Sequence, residues 1–181
     1  MALSMFDASV PIMLRQLLAL DAILEKAAAH AVAREIDPAA LLAMRLFPDM
    51  LTLTRHVQLT CDFAKSTVAR LAGQEPPVWS DDEATFEELR TRIARTVNFV
   101  KSFPASQLEG AETRDITLSP RRSYTMTALG GRPTTFKGAR LLANFELPNF
   151  YFHATTAYNI LRHCGVELGK SDFMGRPQVT D

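Results

Sequence analysis

The sequence predicts an all-α four-helix bundle with a small β-hairpin insertion between helices three and four. Three observations predict it. Four long segments place apolar residues at three- and four-residue steps, so each forms a helix with one apolar face. The links between them are mostly short, which packs such helices side by side. One interval, from about 104 to 137, abandons that spacing for Thr, Tyr, Ile and Phe around a Gly-Gly pair, the pattern of paired strands and a tight turn.

The first helix follows from Met13, Leu17, Leu20, Leu24, Ala27 and Ala31. Ser9 or Asp7 is placed to cap it, Pro11 suits a first turn, and Asp37-Pro38 should end it, because a residue before proline resists the helical region. "PAALLAMRLF" reads as a short connecting helix. The second long helix is expected from near Pro48, with Met50, Leu53, Val57, Cys61, Ala64, Val68 and Leu71 as its stripe and Gly73 as its stop. "QEPPVW" follows as a rigid loop. Ser80 and Glu83 have the spacing of a capping box for the third helix. Its stripe is Phe86, Leu89, Ile93, Val97, Val100 and Phe103, with Pro104 just beyond it.

In the insertion, "RDITL", "SYTMTA" and "PTTFK" are the strand candidates, and Gly130-Gly131 is the turn between the last two. The excursion should cover one end of the bundle near the start of helix four. "GARLLANFEL" returns to helix. Pro148 starts or restarts the final helix and Gly165 ends it, with Arg162 and His163 in the last turn, where positive charge suits the dipole. The whole chain, 1–181, reads as one domain.

Composition excludes several function classes. Of 181 residues, 47% are apolar and 22% charged, and twenty basic side chains balance twenty acidic ones. That balance supports neither a nucleic-acid partner nor a polybasic membrane anchor. The run "PIMLRQLLALDAIL" is too short and too charged to span a bilayer, and "MALSMFDASVP" lacks the basic n-region of a secretory leader. Two cysteines, Cys61 and Cys164, have neither zinc-type spacing nor a disulfide framework. A cytoplasmic protein with reduced core thiols is expected.

The chemistry-bearing residues are few. His153 shares a helix face with Phe150, Ala157, Ile160, Leu161 and Cys164, so it points at the core or borders it. His56 lies beside Leu53, Val57 and Thr60, at the edge of the second helix's stripe. Facing helices of a bundle are a common place for a metal or ligand site, and two neutral imidazoles supply two ligands to a divalent ion. Two histidines alone fall short of the three protein ligands usual for catalytic zinc; the plainer reading is a packed ring with one hydrogen-bond partner. His30 and His163 lie near helix ends and are expected in solvent. "GKSDFMG" reads as a turn that docks Phe173, held by Lys170 and Asp172. Arg121-Arg122 is a short basic step on the insertion.

"LPNFYFHATTAYNILRHCGVELGKSDFMG", with "LFPDMLTLTRHVQLTCDFAKSTVARLAG" and "EELRTRIARTVNFVKS", resembles an uncharacterised bacterial and fungal domain-of-unknown-function family grouped with the DinB/YfiT-like four-helix bundles. The resemblance spans nearly the whole chain. It implies a metal, zinc or nickel, on three histidines: one from the second helix and two from an H-x-x-x-H pair on the fourth. His56 matches the first by position, and His153 has the spacing of the last. Asn149 stands where the remaining histidine would be, and its amide oxygen is a weak ligand beside imidazole. Metal-containing relatives include thiol-dependent transferases and isomerases.

The expectation is therefore a degenerate site at His56, Asn149 and His153, serving a metal-assisted transferase or hydrolase. The alternatives are a metal-free small-molecule-binding or stress-related bundle and a structural dimer module. Phe150, Tyr151 and Phe152 cannot all face one core, which leads us to expect a homodimer.

Overall fold

The computed structural model describes residues 3–118 and 131–175. Helix α1 runs Val10–Ala33, a short α2 spans Pro38–Leu42, α3 spans Leu53–Leu71 and α4 spans Phe86–Lys101. A 3₁₀ turn at Ala105–Leu108 leads to strands β1 (Asp115–Leu118) and β2 (Thr134–Lys137). The chain then continues through α5 (Gly138–Leu141), a π turn (Leu142–Glu146) and α6 (Leu147–His163), and α7 (Lys170–Met174) closes it. The four long helices form a ring in which α4 packs on α1 and α3, and α6 packs on α3 and α1. Every residue of the apolar stripe of α1 is buried, as are Leu53, Val57, Cys61, Ala64, Val68 and Leu71 of α3. Each fully buried Leu or Val contributes about 1.5–3 kcal/mol of transfer free energy.

Several helix ends differ from expectation. Neither Ser9 nor Asp7 caps α1: the Ser9 hydroxyl turns back to the Met5 carbonyl (2.6 Å), and Asp7 Oδ2 accepts from Ser4. The helix stops before Asp37-Pro38. Glu35 adopts φ 54°, its N–H bonds the Val32 carbonyl, and the Ile36 N–H bonds that of Ala31. Those two bonds are a Schellman closure, here made without glycine. Asp37 instead caps α2 through the Ala39 N–H (2.9 Å), and that helix ends at Leu42 rather than running through "AMRLF".

Helix α3 starts at Leu53, not near Pro48, because Thr52 accepts from the Arg55 N–H and supplies a cap there. The capping box of α4 is Thr85 with Glu88, not Ser80 with Glu83. Glu83 is occupied elsewhere, by Arg92 and Gln58.

The hairpin pairs "RDITL" with "PTTFK": Asp115 faces Lys137 and Leu118 faces Thr134, antiparallel. "SYTMTA", Arg121-Arg122 and Gly130 lie outside the described residues. Strand β2 enters α5 at Gly138, where a Cβ would collide with the Ala111 carbonyl, so only glycine lets the strand turn into the helix so close to that backbone.

The π turn has a local cause. Pro148 has no N–H to offer the Asn144 carbonyl, so a regular helix would lose a bond there. The chain widens by one residue, and the Leu147 N–H reaches back to Leu142. Pro148 thus restarts the helix, and Gly165, at φ 84°, ends it.

Candidate functional site

The fold brings His56 and His153 together. Their Nδ1 atoms lie 3.0 Å apart across the α3–α6 seam, and both rings are buried. Phe63 stacks on His153 (centroids 5.6 Å apart), and Phe152 meets both imidazoles edge-on or tilted. Burial pushes His56 down to about 4, partly offset by the Leu51 backbone carbonyl. Burial, then the neighbouring His56 and Arg55 charges, pushes His153 down to about 3. Both rings are neutral at pH 7.

Two facing nitrogens need one proton between them. One Nδ1 carries the proton and the other accepts it, while His56 Nε2 is buried with no hydrogen-bond partner among the described residues.

Asn149 does not join them. Its amide nitrogen donates to the Phe145 carbonyl (2.7 Å), four residues back in the π turn. Among the described residues, no three His, Cys, Asp or Glu side chains converge where an ion could be held. The donor set therefore does not fit the three-ligand metal site that the resemblance implies. The two Nδ1 atoms are taken up by each other. The cysteines offer no alternative: burial pushes the Cys61 thiol up to about 12 and raises that of Cys164. Of the other histidines, His163 is exposed and His30 is half-buried.

Aromatic side chains around the pair divide as their helix angles require. Phe150 is fully buried, Tyr151 is partly covered, and Phe152 is 55% exposed, where the expected partner subunit would have to cover it. The "GKSDFMG" turn docks as expected. Phe173 packs on Tyr158, and Asp172 accepts from the Gly169 N–H, but the cation that meets Asp172 is Lys26 (2.7 Å) rather than Lys170.

Two features were not read from the sequence. The first is Glu146, fully buried at the end of the π turn. It accepts from Arg70 Nη1 (2.8 Å) and Thr67 Oγ1 (3.1 Å), and burial raises its pKa against the pull of Arg70 and Thr67. The signal was present: a lone carboxylate in the apolar run "LLANFELPNF". The second is a groove of about 520 Å³ along the outer face of α3. Arg55, Leu59, Phe63, Ser66 and Arg70 form its floor at helical spacing, and Phe63 separates it from His153. Its walls are the loop Gln74–Asp81, strand β1 and Phe145.

Buried Arg92 pins that loop, donating to the Ser80 carbonyl (2.7 Å), Glu83 (2.9 Å) and Asp62 (2.9 Å) and pairing with Asp81. Lys65 holds the Pro77 carbonyl, and the cations of Lys65 and Arg95 lie over the Trp79 ring, 4.6 and 4.1 Å from its centroid. A wall tied at so many points is preformed, as ligand sites usually are.

Residues 5–174 match the model of DUF1993, a domain of unknown function. The chain is also similar to a DinB family member protein from Shewanella denitrificans, known from a crystal structure. The two share 38% sequence identity with a TM-score of 0.85, over 97% of this chain and 94% of that one. No curated protein matches the chain. No helix among the described residues is long and apolar enough to cross a membrane.

Proposed function

Because this chain belongs to the DUF1993 family and shares the helical fold of a DinB family member, we propose that it is a metal-independent, small-molecule-binding bundle. One observation carries the proposal. The three positions that the resemblance aligns with metal ligands are engaged without a metal: His56 and His153 by each other through Nδ1, and Asn149 by the Phe145 carbonyl. The ligand site is the groove on the outer face of α3. Its volume falls within the ~300–1,000 Å³ typical of small-molecule sites, and its aromatic and aliphatic walls with a few polar groups suit an organic molecule. The histidine pair lies behind Phe63 and keeps that wall in place.

The rival reading is a metal-assisted transferase or hydrolase, with His56 and His153 as ligands and Asn149 as a weak third. One distance favours it: two nitrogens 3.0 Å apart are within reach of one ion with bonds of about 2.0–2.1 Å. Zinc and nickel titration of tag-free protein separates the two. Wild type is expected to bind neither ion, and Asn149→His to gain binding through a third imidazole one turn from His153. Stoichiometric metal in wild type, lost in His153→Ala, would overturn the metal-independent reading.

A further inference from the structure

The π turn places a buried carboxylate, Glu146, directly behind the groove, and Glu146 holds Arg70 by a single 2.8 Å bond through Nη1. A guanidinium has five N–H donors in a fixed fork, so four remain after that bond. Arg70 is partly exposed and lines the groove. Arg114, on the β1 side, lines the same end. Its guanidinium lies over Gly73 and donates to the Leu71 carbonyl, a neutral acceptor. Ser66 and Gln74 add two neutral polar side chains there. Of the acids that line the groove, Asp62 is matched by Lys65 and Arg92, Asp81 by Arg55 and Arg92 and Asp115 by Lys137, and Glu75, beside Gln74, has a partner of its own.

We propose that the Arg70–Arg114 end of the groove recognises the carboxylate of an aromatic carboxylic acid whose ring lies against Phe63, Phe145 and Trp79. Glu146 is a positioning residue. It fixes the Arg70 fork and is itself satisfied by Thr67, so the remaining guanidinium donors face the ligand already oriented. A planar, bidentate anion matches that fork in a way a hydroxyl does not. The buried carboxylate also gives the π turn a purpose, since such turns recur at functional sites.

The inference rests on the groove being the ligand site, and one experiment tells the two failures apart. Trp79 is the single tryptophan of the chain and forms part of the groove wall, so its fluorescence reports occupancy directly. The probes are 4-nitrobenzoate, a quencher, and its neutral counterpart 4-nitrobenzyl alcohol. Wild type is expected to bind the carboxylate at least about tenfold more tightly than the alcohol, a charge-assisted preference that weakens with salt. Arg70→Gln should abolish the preference while leaving alcohol binding in place. Arg70→Lys, which keeps the charge without the fork, should retain part of it. Equal binding of both probes to wild type, or a preference that survives in Arg70→Gln, overturns the carboxylate assignment alone. Failure of both probes to quench Trp79 overturns the groove as ligand site, and this inference with it. Far-UV circular dichroism of each variant checks that it is folded.

Discussion

The α1–α4 seam and the α3–α6 seam use the same helix packing with opposite chemistry. Helix α1 buries leucines, alanines, an isoleucine and Met13, with Gln16 as its one buried amide, and keeps its ion pair at the rim, where Arg90 meets Asp21 at 2.9 Å. The α3–α6 seam buries two imidazoles at one end and, where α6 joins the π turn, a carboxylate with its arginine at the other. The apolar seam is held mainly by buried area and tolerates exchange of like for like. The polar seam is held by specific partners, and removing one leaves the other buried and unpaired. The groove backs onto the second seam, where Glu146 and Thr67 fix Arg70 and Phe63 stacks on His153.

The largest effect is expected at the charged end. Arg70→Ala strips the buried Glu146 of its cation and should cost about 3 kcal/mol at neutral pH. The sign of its pH dependence follows from burial. A carboxyl whose folded pKa is raised contributes stability that is full below its unfolded value of 4.5 and lost as pH rises through the folded one. The deficit of Arg70→Ala should therefore shrink as pH falls toward 4.5. Urea melts at pH 5 and pH 7.5 check this, and a deficit equal at both would mean that Glu146 is not confined as described.

The neutral end should respond in the opposite direction. The imidazoles titrate below their ordinary 6.5 when folded, so the unfolded chain binds more protons under pH 6.5. Stability is whole above that value and is lost progressively as pH falls toward about 4 and 3. His56→Ala leaves a small cavity and an unpaired His153 nitrogen, at a cost of about 2 kcal/mol at pH 7. His153→Gln keeps a hydrogen-bonding side chain and should cost about 1 kcal/mol. Both variants should show a shallower acid limb than wild type, and one as steep as wild type would place the acid sensitivity elsewhere.

The smallest effect belongs to the apolar seam. Arg90→Ala removes a pair whose side chains are 37% and 32% exposed, and thermal melts should register a loss of roughly 0.5 kcal/mol, screened further by salt. A loss approaching that of Arg70→Ala would erase the contrast between the seams.

Periodicity along the chain was enough to determine the helical class, the four stripes, the place of the insertion and the burial of His153. Each of these depends on which side of a helix a residue occupies, and helix geometry alone decides that. The resemblance placed His56 and His153 on neighbouring helices. Helix ends were read less well, because Ser9, Ser80 and Asp37 have side chains that serve equally as caps or as partners to nearby backbone, and only the assembled loops choose. The 3.0 Å meeting of the two imidazoles, the turning away of Asn149, and the pairing of Glu146 with Arg70 across 76 residues were decided by tertiary structure. Which buried nitrogen, amide or carboxylate finds which partner depends on how two helices are set against each other. Here a one-residue widening before Pro148 sets part of that register, and no spacing along a single helix records it.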